Sequence, residues 1–72
     1  MTPNHYMGDG SITCEDAMRS MTANADGVSP MEAKWWTDAF KYLWRWPRKG
    51  QAISDLGKAR DCIDKLLKVV SE

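Results

Sequence analysis

The stretch "SPMEAKWWTDAFKYLWRWP", residues 29–47, decides the fold because it holds a whole helix with its start and stop signals. Ser29 is the predicted N-cap, a proline follows at the first helical position, and Glu32 completes a capping box. Pro47 ends the helix, since its ring and its missing N–H disfavour continuation. The sequence therefore predicts a helix over residues 30–46.

This helix has an unusual division between polar and apolar faces. At 100° per residue its charged side chains fall on one narrow stripe, which consists of Lys34, Asp38, Lys41, Arg45 and, if the turn extends, Arg48. Nearly every other position is apolar, whereas in an ordinary surface helix it is the apolar stripe that is narrow. We therefore expect a central helix that leaves only its basic stripe open. Leu43, Trp44 and Trp46 are expected on the wrapped side.

Two further helices are predicted on either side. Thr13 and Asp16 match a capping box, which predicts a helix over about 13–25 that ends before a glycine. A third helix is predicted over about 52–70, with its apolar face formed by Ile53, Leu56, Ala59, Ile63, Leu66, Leu67 and Val70. Residues 1–10 are rich in turn residues and are predicted to form an ordered or semi-ordered loop.

The predicted architecture is thus a compact all-α domain of three helices that spans residues 1–72. A chain of this length buries only ~60% of its unfolded surface, so its core is thin. Two short helices can hardly cover the wide apolar surface of the central helix, and a second copy of the chain would cover more. The sequence therefore predicts a homo-oligomer.

Composition narrows the classes of function. Ten basic residues balance ten acidic ones, so any electrostatic function must come from a local cluster. Cys14 and Cys62 lack metal-ligand spacing and His5 is the lone histidine, so we expect free thiols, no metal and no cofactor. No apolar run approaches the ~20 residues that span a membrane, and no signal peptide opens the chain. A cytoplasmic protein that does not bind membranes is expected.

A basic cluster occupies the carboxyl end of the central helix and the turn that follows it: Lys41, Arg45, Arg48 and Lys49. One interpretation is a solvated face whose charges complement the helix dipole. The other is an anion site, in which arginine and lysine hold phosphate groups while Tyr42, Trp44 or Trp46 stacks on a base. The sequence alone favours the two interpretations about equally.

The four tryptophans, Trp35, Trp36, Trp44 and Trp46, are predicted to form core and subunit interface. They point in different directions, so at least one is expected to be exposed in a monomer and to mark a binding surface. Double-stranded DNA is disfavoured as a partner, because the net charge is zero and the third helix alternates acids with bases.

Four segments occur in an order that resembles a known family. They are "NHYMGDG", "TCEDAM", "DAFKYLWRWPRKG" and "SDLGKARDCIDKLL". Their order is similar to that of a small domain of unknown function, called SaV-like, found in many bacteriophage early-region proteins. A similar domain occurs in the nucleotide kinase of a lytic coliphage. Asp38 stands where the family usually has asparagine.

The resemblance implies a composite polar site in a phage protein that acts in an infected bacterial host. The implied ligand-contacting residues come from three segments of the chain, and the rest of the basic cluster joins them. The full set is His5, Tyr6, Lys41, Tyr42, Arg45, Arg48, Lys49, Asp55 and Lys58. The implied ligand is a nucleotide or a nucleotide-derived phosphate, which the protein would bind as an accessory of nucleotide metabolism or sequester.

Two other functions stay open. One is inhibition of a host defence factor through the tryptophan-rich and basic surface. The other is a nucleic-acid-binding accessory. Seventy-two residues are too few for a self-sufficient kinase with two substrate sites, so we expect binding without turnover unless an oligomer builds a site between subunits.

Overall fold

The chain forms three α-helices, as the sequence predicts, in a computed structural model that describes residues 9–48 and 50–72. They are α1 (Cys14–Thr22), α2 (Pro30–Arg45) and α3 (Ala52–Val70). Those described residues contain no β-strand. The all-α prediction is therefore confirmed. Most of the predicted N-terminal loop lies outside the described residues.

Both predicted capping boxes are present. The Thr13 hydroxyl oxygen accepts from the Asp16 N–H at 3.1 Å, and the Thr13 N–H donates to the Asp16 carboxylate at 3.3 Å. At the start of α2 the Ser29 N–H donates to Glu32 Oε1 at 2.7 Å, which lowers the pKa of that carboxyl group. Helix starts are thus fixed by short-range hydrogen bonds that the sequence encodes locally.

α1 is three residues shorter than the predicted 13–25 helix at its C-terminus. The Thr22 hydroxyl donates to the carbonyl oxygen of Met18 at 2.9 Å, and Ala23 is already extended with ψ 136°. Asn24 then adopts a left-handed φ of 61°. The helix therefore ends at a threonine–alanine–asparagine turn, ahead of the glycine that the sequence indicated.

The core lies mainly between α2 and α3, which run antiparallel; α1 packs more lightly on α2. Its fully buried apolar side chains are all small: Cys14, Ala39, Ala59 and Cys62. Small residues let two helix backbones approach closely, and here they leave the large apolar side chains at the margins. No helix in this described part of the chain is both long and apolar enough to cross a bilayer.

The wrapped side predicted for α2 is only partly covered. Leu43 and Trp46 are 46% and 37% exposed, contrary to expectation, while Trp44 is half-buried. Neither α1 nor α3 therefore covers Leu43 completely in the described part of the chain. The prediction that α2 contacts both other helices is confirmed.

The apolar face predicted for α3 is also placed differently. Its fully buried positions are Asp55, Ala59 and Cys62, and of these only Ala59 belongs to the predicted face. Most of the predicted face is instead exposed, namely Ile53 (91%), Leu56 (40%), Ile63 (46%), Leu67 (64%) and Val70 (59%). α3 instead packs the stripe of Asp55, Ala59 and Cys62 against α2, because this stripe carries small residues and the carboxylate that pairs with Arg45.

Candidate anion site around Tyr42

Three cationic groups surround the ring of Tyr42. Nζ of Lys41 lies 5.0 Å from the ring centroid, the guanidinium carbon of Arg45 4.7 Å, and Nζ of Lys58 5.7 Å. Lys41 and Arg45 come from α2 and Lys58 from α3, so the packing of the two helices builds the group. We call these four residues the Tyr42 cluster. Cation–π attraction to one ring holds together side chains of the same charge.

Arg45 is buried, so the prediction that it lies on the open basic stripe of α2 is wrong. Its Nη2 lies 3.4 Å from Oδ1 of Asp55, and the two side chains are 10% and 0% exposed. A buried charge is stable only when it is paired, and α3 supplies that pair. Asp55 therefore cannot contact a surface ligand as predicted. It neutralises Arg45 and fixes it against the ring of Tyr42.

The cations left accessible at this cluster are those of the two lysines. Lys58 is exposed and Lys41 half-buried, and both lie within 5.7 Å of the Tyr42 ring centroid. With Arg45 and Asp55 cancelling, the formal charge that remains comes from Lys41 and Lys58. The surface at Tyr42 thus combines two positive charges with an aromatic ring, a suitable arrangement for an anion that carries a planar group.

Arg48 belongs to a neighbouring contact. Its guanidinium lies 5.4 Å from the Trp44 ring and donates to the Trp44 carbonyl oxygen. Lys41 and Arg48 both lower the pKa of the Cys14 thiol, although burial is the larger effect and raises that pKa overall. Both cations therefore act on Cys14 of α1, and Arg48 adds positive charge beyond the Tyr42 cluster.

A second aromatic–cation group lies one heptad earlier on α2. Nζ of Lys34 is 3.9 Å and Nζ of Lys65 4.6 Å from the centroid of Trp35, and Lys34 also pairs with Asp38 at 3.0 Å. We call Trp35, Lys34 and Lys65 the Trp35 cluster. The sequence reasoning missed it. Its signal was present in a Lys–aromatic pair that recurs after seven residues on α2, and two lysines seven residues apart on α3.

The Trp35 cluster carries less free charge than the Tyr42 cluster. Asp38 is only partly buried and neutralises Lys34, which leaves Lys65 as the unbalanced cation. The seven-residue spacing separates the two rings by about 10 Å along the helix axis. The Tyr42 cluster is therefore the stronger candidate for anion binding.

The remaining predicted residues fall into two groups. His5, Tyr6 and Lys49 lie outside the described residues. Of the predicted interface tryptophans, Trp36 is half-buried and lines an apolar groove of about 280 Å³, together with Val28, Glu32, Leu66 and Val70. Phe40 packs on Trp44 with 5.8 Å between ring centroids.

Among residues 9–48 and 50–72, no group of three or more His, Cys, Asp or Glu side chains is arranged to hold a metal ion. Cys14 and Cys62 are free, buried thiols on different helices. No protein-family model, no curated protein and no solved structure matches the chain. The resemblance to the phage family stays a prediction.

Proposed function

We propose that the chain binds a phosphate-bearing ligand at the Tyr42 cluster, with a nucleotide as the ligand class. The observation that carries this proposal is the convergence of Lys41, Arg45 and Lys58 on one aromatic ring, with the buried carboxylate of Asp55 paired with Arg45. Like charges repel, and a dianionic phosphate between the two lysines removes that repulsion.

The nucleotide class is supported by two further points. Tyr42 is half-buried, so its side chain is partly accessible to a ligand that the two lysines hold. The resemblance to the phage family, whose relatives include a nucleotide kinase, points to the same ligand class. The Tyr42 cluster supplies positive charge and an aromatic ring, which suits binding or sequestration of the ligand, and that is the proposed activity.

The proposal is tested by thermal shift and calorimetry with inorganic phosphate and a panel of nucleoside mono-, di- and triphosphates, cyclic nucleotides included. A ligand present at 100 times its Kd stabilises the fold by about 2.7 kcal/mol, a readily measured rise in Tm. Lys58→Ala should weaken binding by about tenfold or more, the usual loss for a charge-assisted contact.

Lys65→Ala is the matched control. Lys65 also lies on α3, one heptad along, with its Nζ 4.6 Å from an aromatic ring of α2, but at the Trp35 cluster. The proposal expects Lys65→Ala to bind as wild type does. Equal losses of affinity in the two variants would indicate diffuse electrostatic attraction and no site at Tyr42. A Tm that no phosphate or nucleotide changes would overturn the proposal.

A second candidate function is inhibition of a host protein, which the exposed Trp46 (37%) and Leu43 (46%) support. Exposed tryptophan is typical of interaction hot spots. Pull-down from host lysate should then recover a stoichiometric partner that Trp46→Ala fails to bind. The control is Lys68→Ala, an exposed change on α3.

A further inference from the structure

The exposed apolar side chains of α3 follow a heptad. Ile53, Leu56, Ile63, Leu67 and Val70 occupy alternating three- and four-residue steps, with Arg60 at the one remaining position of the series. The series extends over about 26 Å of helix. We call these five apolar residues the apolar seam. This is the spacing of the a and d positions in a two-stranded coiled coil.

The apolar seam is a second face, distinct from the one that packs on α2. Asp55, Ala59 and Cys62 are buried against α2, whereas every member of the seam is at least 40% exposed. At 100° per residue the seam lies about 180° from Lys58 and Lys65 around α3. The seam therefore leaves the Tyr42 cluster open, and it is independent of the proposed ligand.

We propose that the apolar seam binds the seam of a second copy of this chain, with the two α3 helices antiparallel. An exposed row of five large apolar side chains is unfavourable for a monomer in water and marks an interface. A second copy supplies an identical heptad, and a two-fold pairing of one seam with itself closes the assembly at a dimer.

The charge on the seam selects the antiparallel orientation. Arg60 is exposed and makes no ion pair with any described residue. A parallel pairing places Arg60 against Arg60 of the second copy. An antiparallel pairing with its two-fold axis between Arg60 and Ile63 instead brings Arg60 of each copy beside Asp64 of the other copy. A polar residue at an a position specifies register, and interhelical ion pairs with flanking positions such as that of Asp64 set orientation.

The same orientation places the most exposed apolar side chain at an apolar groove. It brings Ile53 of one copy opposite Val70 of the other. Val70 lines the groove of about 280 Å³ whose other walls include Trp36 and Leu66. Ile53, which is 91% exposed, would be covered there.

The oligomeric state is tested by sedimentation equilibrium on the full chain. The wild type should be a dimer that Leu67→Asp converts to a monomer, with unchanged helicity because Leu67 is 64% exposed. Ser54→Asp, an exposed change off the seam, is the matched control and should leave the dimer intact. A wild-type chain that remains monomeric up to about 1 mM overturns the proposal, as does an assembly that Leu67→Asp leaves unchanged.

Orientation is tested by disulfide formation. Ile53→Cys and Val70→Cys chains, mixed and oxidised, should cross-link to each other, while Ile53→Cys alone should not cross-link to itself. The native thiols are both buried, so the introduced thiols react selectively. Preferential cross-linking between two Ile53→Cys chains overturns the antiparallel arrangement.

Charge reversal provides an independent check of the Arg60–Asp64 contact. Arg60→Asp and Asp64→Arg should each dissociate more readily than wild type, and an equimolar mixture of the two should regain the dimer. Failure of the mixture to associate more tightly than either variant overturns the assigned charge contact.

Discussion

Nη2 of Arg45 lies 3.4 Å from Oδ1 of Asp55 across the interface of α2 with α3, and this is the one ion pair between helices among the described residues. Removing one member of a buried ion pair is strongly destabilising. Asp55→Asn should therefore lower the free energy of unfolding by about 3 to 5 kcal/mol. Urea denaturation followed by tryptophan fluorescence measures the change.

Two variants make that result specific. Glu15→Gln breaks the exposed Arg19–Glu15 pair, whose side chains are 77% and 72% exposed, and should have an effect below about 1 kcal/mol. Replacing both members of the buried pair, Arg45→Met with Asp55→Leu, should recover much of the loss. An Asp55→Asn variant as stable as wild type would contradict the burial of the charge.

The ring of Tyr42 is expected to be what holds Lys41 and Lys58 in place. Ring current should move the methylene protons beside Nζ of both lysines upfield in the NMR spectrum. Tyr42→Phe keeps the ring face and should preserve these shifts, whereas Tyr42→Leu should abolish them. Unshifted lysine protons in the wild type would show that the three cations do not gather at this ring.

Burial raises the pKa of the Cys14 and Cys62 thiols above their ordinary value of 9.0. Because the folded pKa exceeds the unfolded one, this contribution to stability is complete below about pH 9 and is lost as pH rises through the folded value. Cys14→Ser removes one titrating thiol, so the free energy of unfolding of this variant should fall less steeply than that of the wild type as the pH rises above about 9. Iodoacetamide should also label both native thiols slowly until denaturant is added. Rapid labelling of the folded chain would contradict their burial.

α1 should open more readily than the other two helices. Its one fully buried residue is Cys14, while α2 and α3 share the Arg45–Asp55 pair and the buried alanines. Hydrogen exchange should show lower protection in α1 than in α3. Thr13→Ala should reduce protection in α1 alone, and Ser29→Ala should lower the global stability by about 1 kcal/mol. Equal protection in all three helices would contradict this order.

The helices and their starts were predictable because capping boxes at Thr13 and Ser29 are local signals. The rotation of α3 was not, because its sequence carries two apolar stripes, one through Ala59 and Cys62 and one through Ile53 and Leu67. One neighbouring helix can bury only one of them. The choice depends on Arg45, which needs a carboxylate that only the tertiary packing supplies.

The candidate site was predictable in part for the same reason. Lys41, Tyr42 and Lys58 were named from their residue types and order, and the packing of α2 on α3 brings them together. A helical wheel treats Arg45 as part of an open stripe because it cannot show a partner on another helix. The Trp35 cluster was not predicted because Lys34 and Lys65 are not among the residues that the family resemblance implies, and only the packing of α2 on α3 brings both to one ring.

The repetition of aromatic–cation clusters seven residues apart has a consequence for folding. If α2 slid along α3 by one heptad, Lys58 would meet Trp35 much as it now meets Tyr42, so these contacts alone tolerate two alignments. The slid alignment would bring Asp38 against Asp55, and the two carboxylates would repel in a buried position. The Arg45–Asp55 pair thus specifies the register of α2 against α3, because the alignment shifted by one heptad loses this pair and places two carboxylates together.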